Sequence, residues 1–207
     1  MSNLSKKYTF PLFESCCILN GILQNPEFHN RRFLASFQKF YGKKPTYGLY
    51  DDIDLPLEYQ SGRVKLRISY GKDDKQHTLH HYEKQRVERL RLIYDNGIDY
   101  ELKFEDRSDL NQLYTKKGNC DDILIIKNRC VTDTSYANIA FFNGAKWFTP
   151  STFLLAGTKR AALLKARQIE PVHITLDNLY DYRGYQLLNA LLDFDPKTYI
   201  PIQNIIK

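Results

Sequence analysis

Tryptophan and methionine occur once each in the 207 residues, and cysteine four times. Cys16, Cys17, Cys120 and Cys130 show neither CxxC spacing nor a neighbouring set of histidines, so the sequence predicts no zinc site and no metal; reduced, mostly buried thiols are expected instead. Long apolar runs are also missing. The stretches FLLAG at 153–157 and ILII at 123–126 fall far below the ~20 residues that cross a bilayer, so no membrane span is expected. The N-terminal MSNLSKKYTF carries two lysines without an apolar stretch and small-residue cleavage site behind them, which predicts no secretory signal and a cytoplasmic location. Low-complexity segments and internal repeats are not found.

What is present is the composition of a globular protein: 43% hydrophobic and 26% charged residues. The length predicts one large lobe or two small packed ones. A net charge of +6 raises nucleic-acid binding as a possibility. The basic residues, however, are scattered pairs (Lys6-Lys7, Arg31-Arg32, Lys43-Lys44, Lys116-Lys117) with no nucleic-acid-binding signature, so no nucleic-acid partner is expected. The surplus then serves small anionic ligands or a solvated surface.

Along the chain, Asn25, Pro26 and Gly42 bracket a predicted helix with the apolar stripe Phe33, Leu34, Phe37, Phe40 and Tyr41, and with Arg32 at its edge. VKLRISY and TLHHYEK read as strands around the turn GKDDK. The charged run EKQRVERLRL leads to IDYELKFED, whose alternation predicts a strand with Lys103 on its polar face. A short helix near 108–116 follows, then the strands DDILIIKN and CVTDT around an Asn128-Arg129 turn. NIAFF and KWFTP form a hairpin at Asn143-Gly144. Thr158 is expected to cap a helix over KRAALLKARQ, and Thr175 one through LDNLYDY that Gly184 ends, before a last element in YQLLNA.

Several of these segments, in order, resemble the class IV (fold type IV) aminotransferase and aminodeoxychorismate lyase family of pyridoxal-phosphate enzymes. LFESCCILNGILQNPEFHNRR is similar to the family's F-E-(T/S) opening and H-x-x-R, which implies Arg32 as a phosphate ligand and a structural His29. KFEDR resembles the segment around the Schiff-base lysine, implying Lys103 as the amine that carries the cofactor and Arg107 as a neighbour of its phenolic oxygen. VTDTSYANIAFFNGAKWFTP looks like the (T/S)-E-x-x-x-x-N-(L/I)-F signature, with Asp133 at the place of the carboxylate facing the pyridine nitrogen and Asn138 shaping the backbone. LLAGTKRAALL is similar to the family's L-x-G-(I/T)-x-R turn, implying Gly157, Thr158 and Lys159 around the phosphate, and LLNALL adds Asn189 and Ala190.

The resemblance implies an α+β, two-lobed fold: a small N-terminal α/β lobe over 1–86 and a larger mixed-sheet lobe over 87–207 that carries Lys103 and most cofactor contacts. It also implies a homodimer and a small anionic, amino-bearing substrate. Two reactions use the same residues. One is the lyase reaction, in which 4-amino-4-deoxychorismate gives 4-aminobenzoate and pyruvate for folate synthesis; the other is transamination of branched-chain or D-amino acids. The chain is shorter than those aminotransferases, which favours the lyase. A cofactor-free relative acting as a binding protein is a third reading. Arg67, Tyr47 and Tyr70 are candidate substrate-wall residues.

Overall fold

The computed structural model describes residues 9–207; the Lys6-Lys7 pair and most of the N-terminal MSNLSKKYTF lie outside the described residues. The chain forms two compact units. The first runs to Lys84 and takes in Leu102–Asp106, while the second comprises Gln85–Glu101 and Arg107–Lys207. Lys103 therefore belongs to the first unit, although the sequence reading places it in the C-terminal lobe.

In the first unit an antiparallel sheet runs in the order β2-β1-β3-β4, with β1 Leu12–Leu19, β2 Ile22–Leu23, β3 Arg63–Tyr70 and β4 Lys75–His81. Helix α1, Pro26–Tyr41, enters from Asn25 and ends at Gly42, whose φ of 71° suits a residue without a Cβ. Its buried positions include Phe28, His29, Phe33, Ser36 and Phe37. Leu34, expected in the stripe, is 43% exposed, because the buried face turns toward Ser36 instead. Phe33 and Phe37 pack on Leu12, Cys16, Ile18, Leu66, Ile68 and Tyr70 from the sheet. Burial of this size, at ~25 cal/mol per Å² of apolar surface, is what holds a sheet and helix this small together.

The expected strand over IDYELKFED does not form. Leu102–Asp106 instead lies beside the N-terminal half of β1, with an isolated bridge between Leu12 and Phe104 and backbone hydrogen bonds from Phe13 N to Lys103 O and from Glu105 N to Pro11 O. Leu102 and Phe104 join the first unit's core, so their burial decides the position of this segment. The strand that does form nearby is β5, Leu90–Tyr94, overlapping the end of the run read only as charged: Leu90 and Leu92 are buried and alternate with Arg89 and Arg91.

The second unit holds two sheets. One, β13-β5-β6-β7, pairs β13 (Ile205–Ile206), β5 and β6 (Asp122–Lys127) in parallel and β7 (Cys130–Thr134) antiparallel. The β6–β7 turn is formed by Asn128 and Arg129, both at positive φ, as the sequence predicts. The other sheet runs β10-β9-β8-β11-β12, with β8 Asn138–Phe142, β9 Trp147–Pro150, β10 Glu170–Val172, β11 Gly184–Leu188 and β12 Ile200–Pro201. The β8–β9 connection is wider than a two-residue turn: Asn143 N bonds Lys146 O, and the Asn143 side chain accepts from the amides of Ala145 and Lys146. Ile139, Phe141, Tyr185 and Leu187 join Leu124, Ile126 and Val131 in one core.

Helix α2 is Ser108–Tyr114, as expected, and α3 is Thr158–Lys165. Thr158 is the first helical residue of α3 rather than its cap; the capping position belongs to Gly157 and has no side-chain cap. The helix expected after Thr175 shrinks to a single turn at Leu179–Asp181. Gly184 opens strand β11 instead of ending that helix, since a Cβ there would fall 2.4 Å from Ile200 O.

Candidate active site

Sheet alternation sorts the first unit's candidates onto two faces. Phe13 lies opposite Ser69 in the register, and Leu12, Glu14 and Cys16 point the other way, toward α1. Leu102 and Phe104 share that core face, so Lys103 and Glu105 share the face of Phe13, Ser69 and Arg67. The contacts agree. The Lys103 ammonium lies 4.6 Å from the Phe13 ring centre and the Arg67 guanidinium 3.6 Å from it. Arg67 is ion-paired with Glu105, which also accepts from Ser69 Oγ at 2.9 Å. Of the three candidate wall residues, Tyr70 is fully buried on the core side, and Tyr47 packs against Phe33 and donates to Gly71 O. Arg67 alone of the three keeps the company of Lys103.

Arg32 begins on the opposite face. Its Nε and Nη2 donate to the two oxygens of Glu14 at 2.7 and 2.5 Å, and His29 Nδ1 lies 2.7 Å from the same carboxylate. Glu14 is fully buried; burial alone would raise its pKa, but the Arg32 charge and the hydrogen bonds from His29 and Arg32 outweigh that and hold it at about 2. His29 is thus structural, as expected. Glu14, the glutamate of the LFESCC opening, thereby fixes the position of Arg32.

The second unit gathers Asp133, Asn138 and Gly157. Asp133, near the end of β7, is 5% exposed; its Oδ2 accepts from the amides of Leu154 and Leu155 at 3.0 and 2.9 Å, and its Oδ1 from Asn138 Nδ2 at 2.7 Å. Asn138 Nδ2 also reaches Leu155 O, which accounts for its backbone-shaping part. Gly157 faces this asparagine so closely that a Cβ would lie 1.7 Å from Asn138 Oδ1; its bareness serves that contact. Burial pushes the Asp133 carboxyl up to about 6, against the pull of the three N–H groups and of Arg160. Arg160, the arginine of LLAGTKR that the sequence reading passed over, is buried, donates to Thr149 Oγ1 and Pro150 O, and lies over the Phe153 ring.

Arg107 is not a surface partner of its acidic neighbours. Its Nη2 donates to the Ser135 carbonyl two residues beyond Asp133, and its buried Nε has no acceptor among the described residues. Thr158 is buried and Lys159 half-buried at the start of α3, where the helix dipole favours an anion. Asn189 is occupied locally, its Oδ1 accepting from Leu191 N at 2.9 Å.

This donor set fits a phosphorylated pyridine. A carboxylate offers about four lone-pair sites, and the three N–H groups on Asp133 leave one for a protonated ring nitrogen. The unmet Arg107 Nε calls for an acceptor such as a phenolic oxygen. No helix among the described residues is long and apolar enough to cross a membrane.

The model of the amino-transferase class IV family matches residues 106–200. An uncharacterized protein of Haemophilus influenzae is 36% identical over 184 residues, covering 88% of this chain and 98% of its own length. The crystal structure of a candidate 4-amino-4-deoxychorismate lyase from Haemophilus somnus 129PT is 32% identical, with a TM-score of 0.80 over 90% of this chain and 99% of that one. A hypothetical aminotransferase of Mycobacterium tuberculosis in its PLP-bound form shares the fold at 14% identity, with a TM-score of 0.70 over 91% of this chain and 80% of that one. On these similarities the chain belongs to the class IV aminotransferase family of pyridoxal-phosphate-dependent enzymes.

Proposed function

We propose that this enzyme binds pyridoxal 5'-phosphate through Lys103 and cleaves 4-amino-4-deoxychorismate to 4-aminobenzoate and pyruvate. The observation that carries the reading is the 32% identity to the Haemophilus somnus candidate lyase across 99% of that chain. The bound cofactor supplies an electron sink for the carbon that bears the substrate amine. The protein's own residues do the rest. Lys103 supplies the amine that would hold the cofactor and would move the proton at that carbon. Asp133 keeps the ring nitrogen protonated, Arg107 steadies the phenolic oxygen, and Arg32, Gly157, Thr158, Lys159 and Asn189 serve the phosphate.

Borohydride reduction of the protein incubated with pyridoxal phosphate, followed by peptide mapping, tests the first half: a cofactor-sized mass on the Lys103 peptide is expected, and a label elsewhere overturns the assignment. Supplying 4-amino-4-deoxychorismate and assaying pyruvate with 4-aminobenzoate tests the second. Amino-group exchange with a panel of amino and keto acids, without those products, would favour the aminotransferase reading instead, to which the shared fold of the Mycobacterium tuberculosis protein lends support. The reading includes a homodimer and a cytoplasmic enzyme; sedimentation of the purified protein at twice the 24.4 kDa chain mass is the expected result for the former.

A further inference from the structure

Away from Asp133, the second unit carries a thiol and an imidazole in contact. Cys130 opens strand β7 and His173 follows β10; the register brings them together through the Cys130–Thr175 bridge and the Val131 N to Ile174 O hydrogen bond. Cys130 Sγ lies 3.5 Å from His173 Nε2 and 3.3 Å from Asn128 O. The other three cysteines are buried, while Cys130 is half-buried and lines a cleft of about 480 Å3 together with Thr132, Thr152, Phe153 and Leu154. That volume takes a small organic group. The charged side chains at the cleft are Lys127, whose ammonium is held by Ile98 O, and the acidic pair Asp99 and Glu101. Arg129 and Asp177 next to the dyad are ion-paired with each other. The imidazole stands within hydrogen-bonding distance of the thiol and can take its proton.

We propose that Cys130 and His173 form a nucleophilic thiol site, separate from the cofactor residues, that takes small disulfides by thiol–disulfide exchange. His173 Nε2 accepts the Cys130 proton. The thiolate attacks one sulfur of the disulfide, a new S–S bond forms as the old one breaks, and the departing thiolate collects the proton from His173. No net oxidant beyond the disulfide is needed. The attached group occupies the cleft beside Leu154, whose amide holds Asp133, so the modification reaches the candidate site through that loop.

The test uses the intact chain and neutral 2-hydroxyethyl disulfide, with the adduct located by peptide mapping and its formation followed from pH 5 to 9. One adduct per chain, on Cys130, is expected. In His173→Gln, an exposed and therefore fold-tolerant substitution, the rate at pH 7 should fall roughly tenfold, because the thiol loses the group that takes its proton, and the rate should climb only at higher pH. Cys130→Ser should remove the adduct altogether. An adduct on Cys16, Cys17 or Cys120 in the folded protein, or an unchanged rate and pH profile in His173→Gln, would overturn the proposal. None of these readouts depends on pyridoxal phosphate, so the result stands apart from the lyase reading.

Discussion

Two buried carboxylates respond to acid with opposite signs, although both are nearly inaccessible to water. Glu14 is held at about 2 in the folded protein against 4.5 for an ordinary glutamate, so its pairing stabilises the fold fully above pH 4.5 and is lost as pH falls toward 2. Asp133 is held at about 6 against 3.8; the folded state binds the extra proton between those values, and stability therefore declines as pH rises from 3.8 through 6. Urea denaturation at stepped pH should show both: a steep loss below pH 4 that disappears in Glu14→Gln, and a shallower loss between pH 4 and 6 that disappears in Asp133→Ala. The Glu14→Gln protein should also be less stable at pH 7 by ~3 kcal/mol, because Arg32 is left as a buried cation without its counter-charge. Equal stability of that variant and the native protein would show that water replaces the pair.

At the scale of elements, the glycines separate packing from backbone strain. A methyl group at Gly157 meets Asn138 Oδ1 at 1.7 Å, displacing the amide that holds Asp133, whereas at Gly42 it meets nothing within 4 Å but sits at a φ of 71°. Gly42→Ala should cost only ~1 kcal/mol, the price of the left-handed backbone at the end of α1. Gly157→Ala should cost ~1–3 kcal/mol as an overpacked site, and should weaken pyridoxal-phosphate binding measured by fluorescence, which Gly42→Ala leaves unchanged. Similar binding in both variants would remove Gly157 from the cofactor's surroundings. Much of this level was readable in advance. α1 with its Asn25, Pro26 and Gly42 boundaries, the β6–β7 turn at Asn128-Arg129 and helix α2 follow from local signals that need no partner. The 98–106 segment departs from its predicted strand because its alternation is real but its backbone partner, β1, is some ninety residues earlier in the chain.

For the whole molecule, cofactor binding and folding are linked. A ligand that binds only the folded chain stabilises it by about 2.7 kcal/mol at a hundredfold excess over Kd. Pyridoxal phosphate should accordingly raise the melting temperature of the native protein, and raise it less in Lys103→Ala, which keeps the phosphate donors but loses the covalent link. A cofactor-free binding protein would show no shift with either chain.

The sequence by itself determined the segments that match the family: KFEDR, VTDTSYAN and LLAGT stand in family order because side-chain type and short spacing are local properties. Tertiary structure decided what those residues touch. Glu14 became the anchor of Arg32, Arg160 a buried neighbour of Asp133, and the Leu154 and Leu155 amides its donors. Backbone amides carry no residue-type signal, and pairs separated by 18 to 27 positions, such as Glu14 with Arg32 and Asp133 with Arg160, meet only when sheet register and helix packing bring them together.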